Sequence, residues 1–411
     1  MDVIYECVCG LDVHSGSVQA CVRRLKAGRV TQEVRSFGTM TRDILALADW
    51  LAAEGVSHVA MESTGVYWKP IYNLLEDRFT VLLVNARHVK HVPGRKTDVK
   101  DCQWLAQLLQ CGLLKASFVP DRPQREMRDL TRHRAQLVAE RAAVANRIHK
   151  TLEDANIKLG LVASDILGAS GRDMLRALIA GDQTPGQMAE LARLKMRCKI
   201  PELRLALDGH VTEHHRFVLA ELMDQIDDLE GRIERFSRRI EEISGPFAAA
   251  IAVVAQLPGF DQRSAEVVVA EIGKDMTRFP TDHHLPAWAG ICPGSNESGG
   301  KRKSGKTTKG SRWLRATLVQ AAWAATHTKN SYFRAQYRRL VGRRGKKRAL
   351  VAVAHSLLIV IYHVLLTGRP YQDLGVDYFD KLDAHNIVKS HVRRLESLGY
   401  KVTLAPCEQV A

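Results

Sequence analysis

At 411 residues, with 45% hydrophobic and 26% charged side chains, the chain is too long for one compact core and too apolar to be disordered. Its net charge of +15 is concentrated: residues 298–372 hold 17 Lys and Arg and no Asp or Glu, leaving 43 basic against 45 acidic side chains elsewhere. Such a stretch selects a polyanion, nucleic acid before others, over a merely solvated basic face, which would interleave acids.

The first 120 residues alternate between strand and helix patterns. Segments 3–13 and 17–25 read as a hairpin and 34–38 as a short third strand. Helical spacing over 42–54 (Ile44, Leu45, Leu47, Ala48, Leu51) precedes a strand at 57–61, a short helix around 67–77 and a strand at 80–84. A helix over 98–111 with one apolar face follows. A hairpin and then strand–helix alternation predicts an α/β, ribonuclease-H-like mixed sheet over 1–120.

From 121 to about 246 the pattern is helical. Leu219, Leu222, Ile226, Leu229, Ile233, Phe236, Ile240 and Ile243 step by alternating threes and fours, a heptad seam that predicts a coiled coil. A weaker seam (Leu130, Leu137, Val144, Ile148, Leu152) offers an antiparallel partner, and 160–209 holds Gly and Pro breaks that predict short helices or loops. This region is either a helical spacer or a dimerising arm that faces nucleic acid.

A mostly helical third unit spans 247–370. Its segments 251–257 and 265–272, joined by Pro258-Gly259-Phe260-Asp261, resemble a helix-hairpin-helix, whose turn presents N–H groups to a phosphate; Asp261 stands where a second glycine is commoner, so the hairpin reads either as a phosphate contact or as a plain packing unit. The apolar run 349–366 contains His355, Ser356, Tyr362 and His363 and reads as a buried helix. The tail 371–411 carries little readable chemistry. An HxxR at His391–Arg394 has no matching upstream arginine context and Tyr400 follows too closely, which excludes a tyrosine recombinase. The eight cysteines form no CxxC pair; most are expected to be small buried side chains in a reducing cytoplasm, and the N-terminus has no export signal.

Four acids stand out. Asp12 follows one apolar strand and Glu62 ends another; Asp98 and Asp101 lie three apart at the start of a helix and share a face. Each alone reads as a turn, a cap or a dipole partner, but as a set on a mixed sheet they supply the hard oxygen ligands that Mg²⁺ or Mn²⁺ requires. The second signal is Ser298-Gly299-Gly300 amid Lys301, Arg302, Lys303, Lys306, Lys309, Arg312 and Arg315, cations suited to hold a phosphate. By spacing alone Ser298 is one serine among Ser295, Ser304 and Ser311, and the loop is equally a phosphate-binding loop without covalent chemistry.

These motifs resemble those of the DEDD transposases of the insertion-sequence 110/1111 type, the RNA-guided bridge recombinases. The resemblance spans about residues 5 to 370 and rests on Gly10–His14, Met61–Trp68, Val84–Leu109, Leu257–Gly273 and Trp288–Arg315. It implies a RuvC-like metal site at Asp12, Glu62, Asp98 and Asp101, and Ser298 as covalent nucleophile. It further implies donor and target DNA, a guide (bridge) RNA, and a homodimer or tetramer working away from membranes in the cytoplasm. The competing expectations are a RuvC-like nuclease or junction resolvase using water, and a non-catalytic nucleic-acid-binding protein.

Overall fold

The computed structural model describes residues 3–26, 28–63, 65–85, 101–294 and 296–404; of residues 296, 298, 302 and 303 it describes the backbone alone. The chain forms two compact units, Met1–Pro120 and Asp121–Ala411.

In the first unit five strands lie in the order β3-β2-β1-β4-β5. Strands β1 (Cys7–Val13), β2 (Ser17–Lys26) and β3 (Arg29–Gly38) form an antiparallel meander, and β4 (His58–Glu62) and β5 (Thr80–Val84) add parallel to β1. Period-two alternation sets the two faces. Cys9, Leu11, Val13, Val59 and Met61 pack into one core with Ile44, Leu47 and Leu51 of α1 (Thr41–Ala53) and Ile71 and Leu75 of α2 (Trp68–Leu75). Helix α3 (Asp101–Gln110) covers the opposite face, where Leu109 packs on Val8 and Ala60. The sheet is a mixed α/β layer as expected, with β3 five residues longer at its start than the apolar pattern suggests. Its register with β2 runs from Lys26↔Arg29 to Ser17↔Gly38. As an edge strand it is held by ladder bonds while residues 29–32 are exposed, so its polar start carries no hydrophobic signal.

In the second unit α4 (Arg122–Asp154) and α5 (Glu213–Ile243) run antiparallel. Asp154 meets His215 at 3.0 Å, Arg141 meets Glu230 at 2.8 Å and His133 meets Phe236 at 6.0 Å, so position rises along one helix as it falls along the other. The seam expected from the heptads is thus buried within the chain: Leu219, Ile226 and Leu229 join Val144, Ile148 and Leu152 and the helix Ala169–Ala180 in one core. Ile240 joins the other core, with Met127 and the helices that follow. Those are α6 (Ala248–Ala255), α7 (Gln262–Ile272), α8 (Arg312–His327), α9 (Tyr332–Arg344) and α10 (Lys346–Thr367). Helix α10 is long and apolar enough to cross a membrane, yet Val353, Ala354, Leu357, Leu358 and Ile361 are buried in this core, as its polar interruptions suggested. Two short helices end the described chain, α11 (Tyr378–Leu382) and α12 (Ala384–Ser397).

One expectation changes in part, and one of two alternatives gains support. Burial of the cysteines holds inside the sheet unit for Cys9, Cys21 and Cys102, where desolvation lifts the Cys21 thiol to about 12; Cys7, Cys111 and Cys292 are half-buried, Cys198 is exposed, and Cys407 lies outside the described residues. The α6–α7 hairpin is a packing unit. Gly259 has φ +86°, and a Cβ there would lie 2.1 Å from the Ala321 carbonyl oxygen of α8, so the turn abuts protein. Asp261 caps α7: its Oδ1 accepts from the Ser264 N–H at 2.8 Å and the Ser264 hydroxyl at 2.6 Å, filling the place a phosphate would take.

These bonds, the hydroxyl's first, hold the Asp261 carboxyl below its usual range. A depressed folded pKa contributes stability that is present above the unfolded value and lost as pH falls through the folded one. Asp261→Ala should therefore cost about 1 kcal/mol in urea unfolding at pH 7, with the gap to wild type closing below about pH 4.

Candidate catalytic and nucleic-acid-binding site

The register of the central strands positions the acids. Leu11 of β1 is paired with Met61 of β4, and the strands are parallel, so Asp12 and Glu62 are the next residues on neighbouring strands at the same sheet edge. Since Leu11 and Met61 face the α1/α2 core, Asp12 and Glu62 face the other side with Val8, Gly10 and Ala60. Helix α3 begins there. A Cβ on Gly10 would sit 2.2 Å from the Cys102 carbonyl oxygen and 2.5 Å from the Ala106 nitrogen, so the first turn of α3 lies directly on β1, two residues before Asp12. Asp101 opens that turn. Three of the four predicted acids therefore share one face and one edge; Asp98 lies outside the described residues.

Among the described residues no three His, Cys, Asp or Glu side chains form a complete ion-holding group. The donor chemistry still suits a hard cation: all three acids offer carboxylate oxygens, and Asp12 is 27% exposed, open to solvent rather than locked in a buried pair. His14 Nε2 stands 3.2 Å from Asp12 Oδ2, a contact that orients this carboxylate.

Gly10 is a requirement the sequence reading did not single out. Gly10→Ala should destabilise the chain by about 2 kcal/mol, the cost of overpacking, and move Asp101 away from Asp12, so that activity falls more than stability. Gly16→Ala, where a Cβ meets nothing within 4 Å, is the matched control. Urea unfolding and DNA cleavage measured on both variants check this.

The predicted serine sits on a hairpin. Strands β6 (Asn296–Ser298) and β7 (Lys301–Ser304) pair antiparallel with Ser298 opposite Lys301, so Gly299 and Gly300 form the whole turn. Their φ values of +59° and +71° match a type I′ turn, which L side chains rarely adopt. Two glycines between extended polar runs are the signal that predicts this hairpin, where the sequence reading had only a loop. The hairpin's base is fixed by the Pro293↔Thr307 bridge and the Gly294 N–H donating to Lys306 O at 2.9 Å. Lys301, Lys306, Lys309 and Arg312 are exposed and Arg315 half-buried; the side chains of Ser298, Arg302 and Lys303 lie outside the described residues.

Of the rival serines, Ser295 is outside the described residues, Ser304 accepts from the Lys306 N–H at 3.1 Å, and Ser311 is committed elsewhere. The Ser311 hydroxyl caps α8 by accepting from Leu314 N–H and donates to Glu271 Oε2 at 3.0 Å. Glu271, 2% exposed, also receives both guanidinium bonds of Arg132, at 2.7 and 2.9 Å. Arg128 bonds the carbonyls of Ala270 and Glu271, and burial pulls it below its ordinary value. Arg134 Nη1 lies 2.7 Å from Glu266 Oε2, an ionic contact without a well-aligned hydrogen bond. These buried pairs fasten α4, α7 and the start of α8, so the helix following the hairpin is held from below. The signal was legible afterwards: two glutamates inside an apolar helix need cations, and α4 carries them at 128, 132 and 134.

Comparison with known proteins agrees with this geometry. Residues 9–157 match the DEDD model of IS110 elements, described as Transposase, and residues 251–338 match the Transposase IS116/IS110/IS902 family. The chain belongs to this transposase family. Together the two matches cover more than half of it. The transposase is 27% identical to a probable family 20 transposase of Pseudomonas aeruginosa, over 76% of this chain and 85% of that one. It is 25% identical to the transposase for insertion sequence element IS1111A of Coxiella burnetii, over 71% and 72% of the two chains. A pilin gene-inverting protein of Moraxella bovis shares 25% identity over 29% of this chain and 38% of its own. Transposases are enzymes that cut and rejoin DNA, which the acids and the cations are chemically suited to do.

Proposed function

We propose that the transposase cleaves and rejoins DNA through a RuvC-like site of Asp12, Glu62, Asp98 and Asp101, with Ser298 as nucleophile. The observation that supports the reading is the parallel β1–β4 register that sets Asp12 beside Glu62, with the first turn of α3, which Asp101 opens, packed on β1. When bound by these acids, Mg²⁺ or Mn²⁺ supplies charge stabilisation for the oxygens that attack and leave.

The chain's own residues do the rest. Ser298 Oγ bonds to the scissile phosphorus and gives up its proton to solvent, while the bond to the 3′ oxygen breaks and that oxygen takes up a proton. The phosphoserine diester keeps the energy of the original linkage, so a 3′ hydroxyl of a partner strand can displace the serine without any outside energy source. Lys301, Lys306 and Lys309, with Arg302, Lys303, Arg312 and Arg315, hold the phosphates. Within this reading residues 121–246 act as a coiled-coil arm, 247–370 as the serine-bearing basic domain and 371–411 as a tail. A bridge RNA selects donor and target DNA in the cytoplasm, and the protein works as a homodimer or tetramer.

The test incubates purified transposase, with and without its co-purifying RNA, with a plasmid carrying the element's ends and Mg²⁺, followed by denaturation in detergent. Protein-linked DNA ends are expected, dependent on metal and on RNA. Cleavage with free ends only would favour a nuclease using water, and binding without cleavage a non-catalytic protein.

A further inference from the structure

The acid-free stretch that ends at Gln372 is followed at once by four aspartates and a single lysine within residues 373–383, and this segment folds back onto basic helix α9. Asp373 Oδ1 accepts the Tyr332 N–H at the start of α9 at 2.9 Å. Phe379 stacks on Tyr332 at 5.1 Å, and the Arg339 guanidinium lies 5.3 Å over the Phe379 ring. Arg339 Nη2 is 3.4 Å from Asp383 Oδ2. Arg338, Arg339, Asp380 and Asp383 line one cleft, closed by Val376 and Ile387. Lys381 is engaged by Asp377 at 2.5 Å, so it does not neutralise the acids that face α9.

One turn further along, Arg343, Arg344, Lys346, Lys347 and Arg348 are exposed, with no acidic partner among the described residues. Arg343 and Arg344 end α9 and Lys346, Lys347 and Arg348 open α10, and the acidic segment meets this basic run at Arg339. The cover is anchored by aromatic contacts at one end but ionic and solvent-exposed at the other: Arg339 is 41% and Asp383 35% exposed. An exposed ion pair of this kind exchanges readily for a stronger anion.

We infer that the face of α9 bearing Arg338 and Arg339 is a second nucleic-acid backbone surface, and that the C-terminal acidic segment is a tethered competitor that the polyanion displaces. The inference rests on the proposed nucleic-acid partner and adds a surface and a brake to it. The Arg339 guanidinium is engaged by Asp383, and Asp380 lines the same cleft beside Arg338, so free DNA has to exchange with this acidic segment.

The test uses full-length transposase and a labelled random-sequence duplex of about 30 base pairs, a length that covers a protein-sized site. Affinity is read over a series of salt concentrations. Asp380→Asn/Asp383→Asn, nearly isosteric and so compatible with folding, should bind several-fold tighter than wild type, with the salt slope steeper by about one unit as Arg339 becomes free to meet a phosphate. Arg338→Gln/Arg339→Gln should weaken binding more in that background than in wild type. Equal affinities and slopes in wild type and the Asn variant would overturn the inference, as would equal effects of the Gln pair in both backgrounds. A wild-type protein that binds no duplex at any salt would instead sink the nucleic-acid reading on which it rests.

Discussion

Ser298→Ala should abolish protein-linked DNA ends while duplex affinity stays within about twofold and the fold is unchanged. The loss in joining should be on the order of 10³-fold or more, because removing the nucleophile from a site whose groups act as a unit removes most of the catalysis. The structural grounds for a clean result are specific. The backbone of Ser298 is extended opposite Lys301, a conformation alanine adopts freely, and the turn is set by Gly299 and Gly300 rather than by the serine. Ser304→Ala is the control: its hydroxyl accepts a backbone bond within the same hairpin, and its loss should leave the adduct intact. Adduct at wild-type level in Ser298→Ala, detected by gel shift after protease omission, would exclude this nucleophile.

How far the sequence disclosed the molecule depended on whether a residue's role shows in its neighbours along the chain. The strands β1, β2, β4 and β5 and the long helices were readable because alternation and heptad spacing are local patterns. Asp12 and Glu62 stood out because each lies at the end of an apolar strand. What stayed hidden is long-range. Gly10 looks like any strand glycine until α3 is seen lying on it. Glu271 looks like an exposed helical acid until Arg132 and Ser311 reach it from elements 139 and 40 residues away. The hairpin turn at Asp261 was legible both ways: its motif suggests phosphate, the aspartate in place of a second glycine suggests packing, and the cap it forms on its own helix supports packing. The acidic segment after Gln372 was unreadable because its meaning lies in what it covers.

Asp12→Asn should reduce metal-dependent cleavage by more than about 100-fold, beyond what outer-shell changes around a metal produce, without unfolding the protein. The substitution keeps the side chain's shape, leaves an oxygen able to accept from His14, and removes only charge from a group that is 27% exposed. Glu62 stands at the same register position on the neighbouring strand and Asp101 opens the helix packed on β1, so the substitution removes one of three acids from this edge without adding a charge. The variant should therefore melt at or slightly above the wild-type temperature in chelator. Adding Mg²⁺ or Mn²⁺ should then raise the melting temperature of the wild type more than that of the variant, because an ion that binds only the folded state stabilises it in proportion to its affinity. The pair of measurements separates a ligand from a residue that merely props the sheet: a structural role would lower the melting point in chelator and leave the metal response unchanged. Cleavage within a few-fold of wild type at limiting metal, or an equal metal response in both proteins, would remove Asp12 from the site.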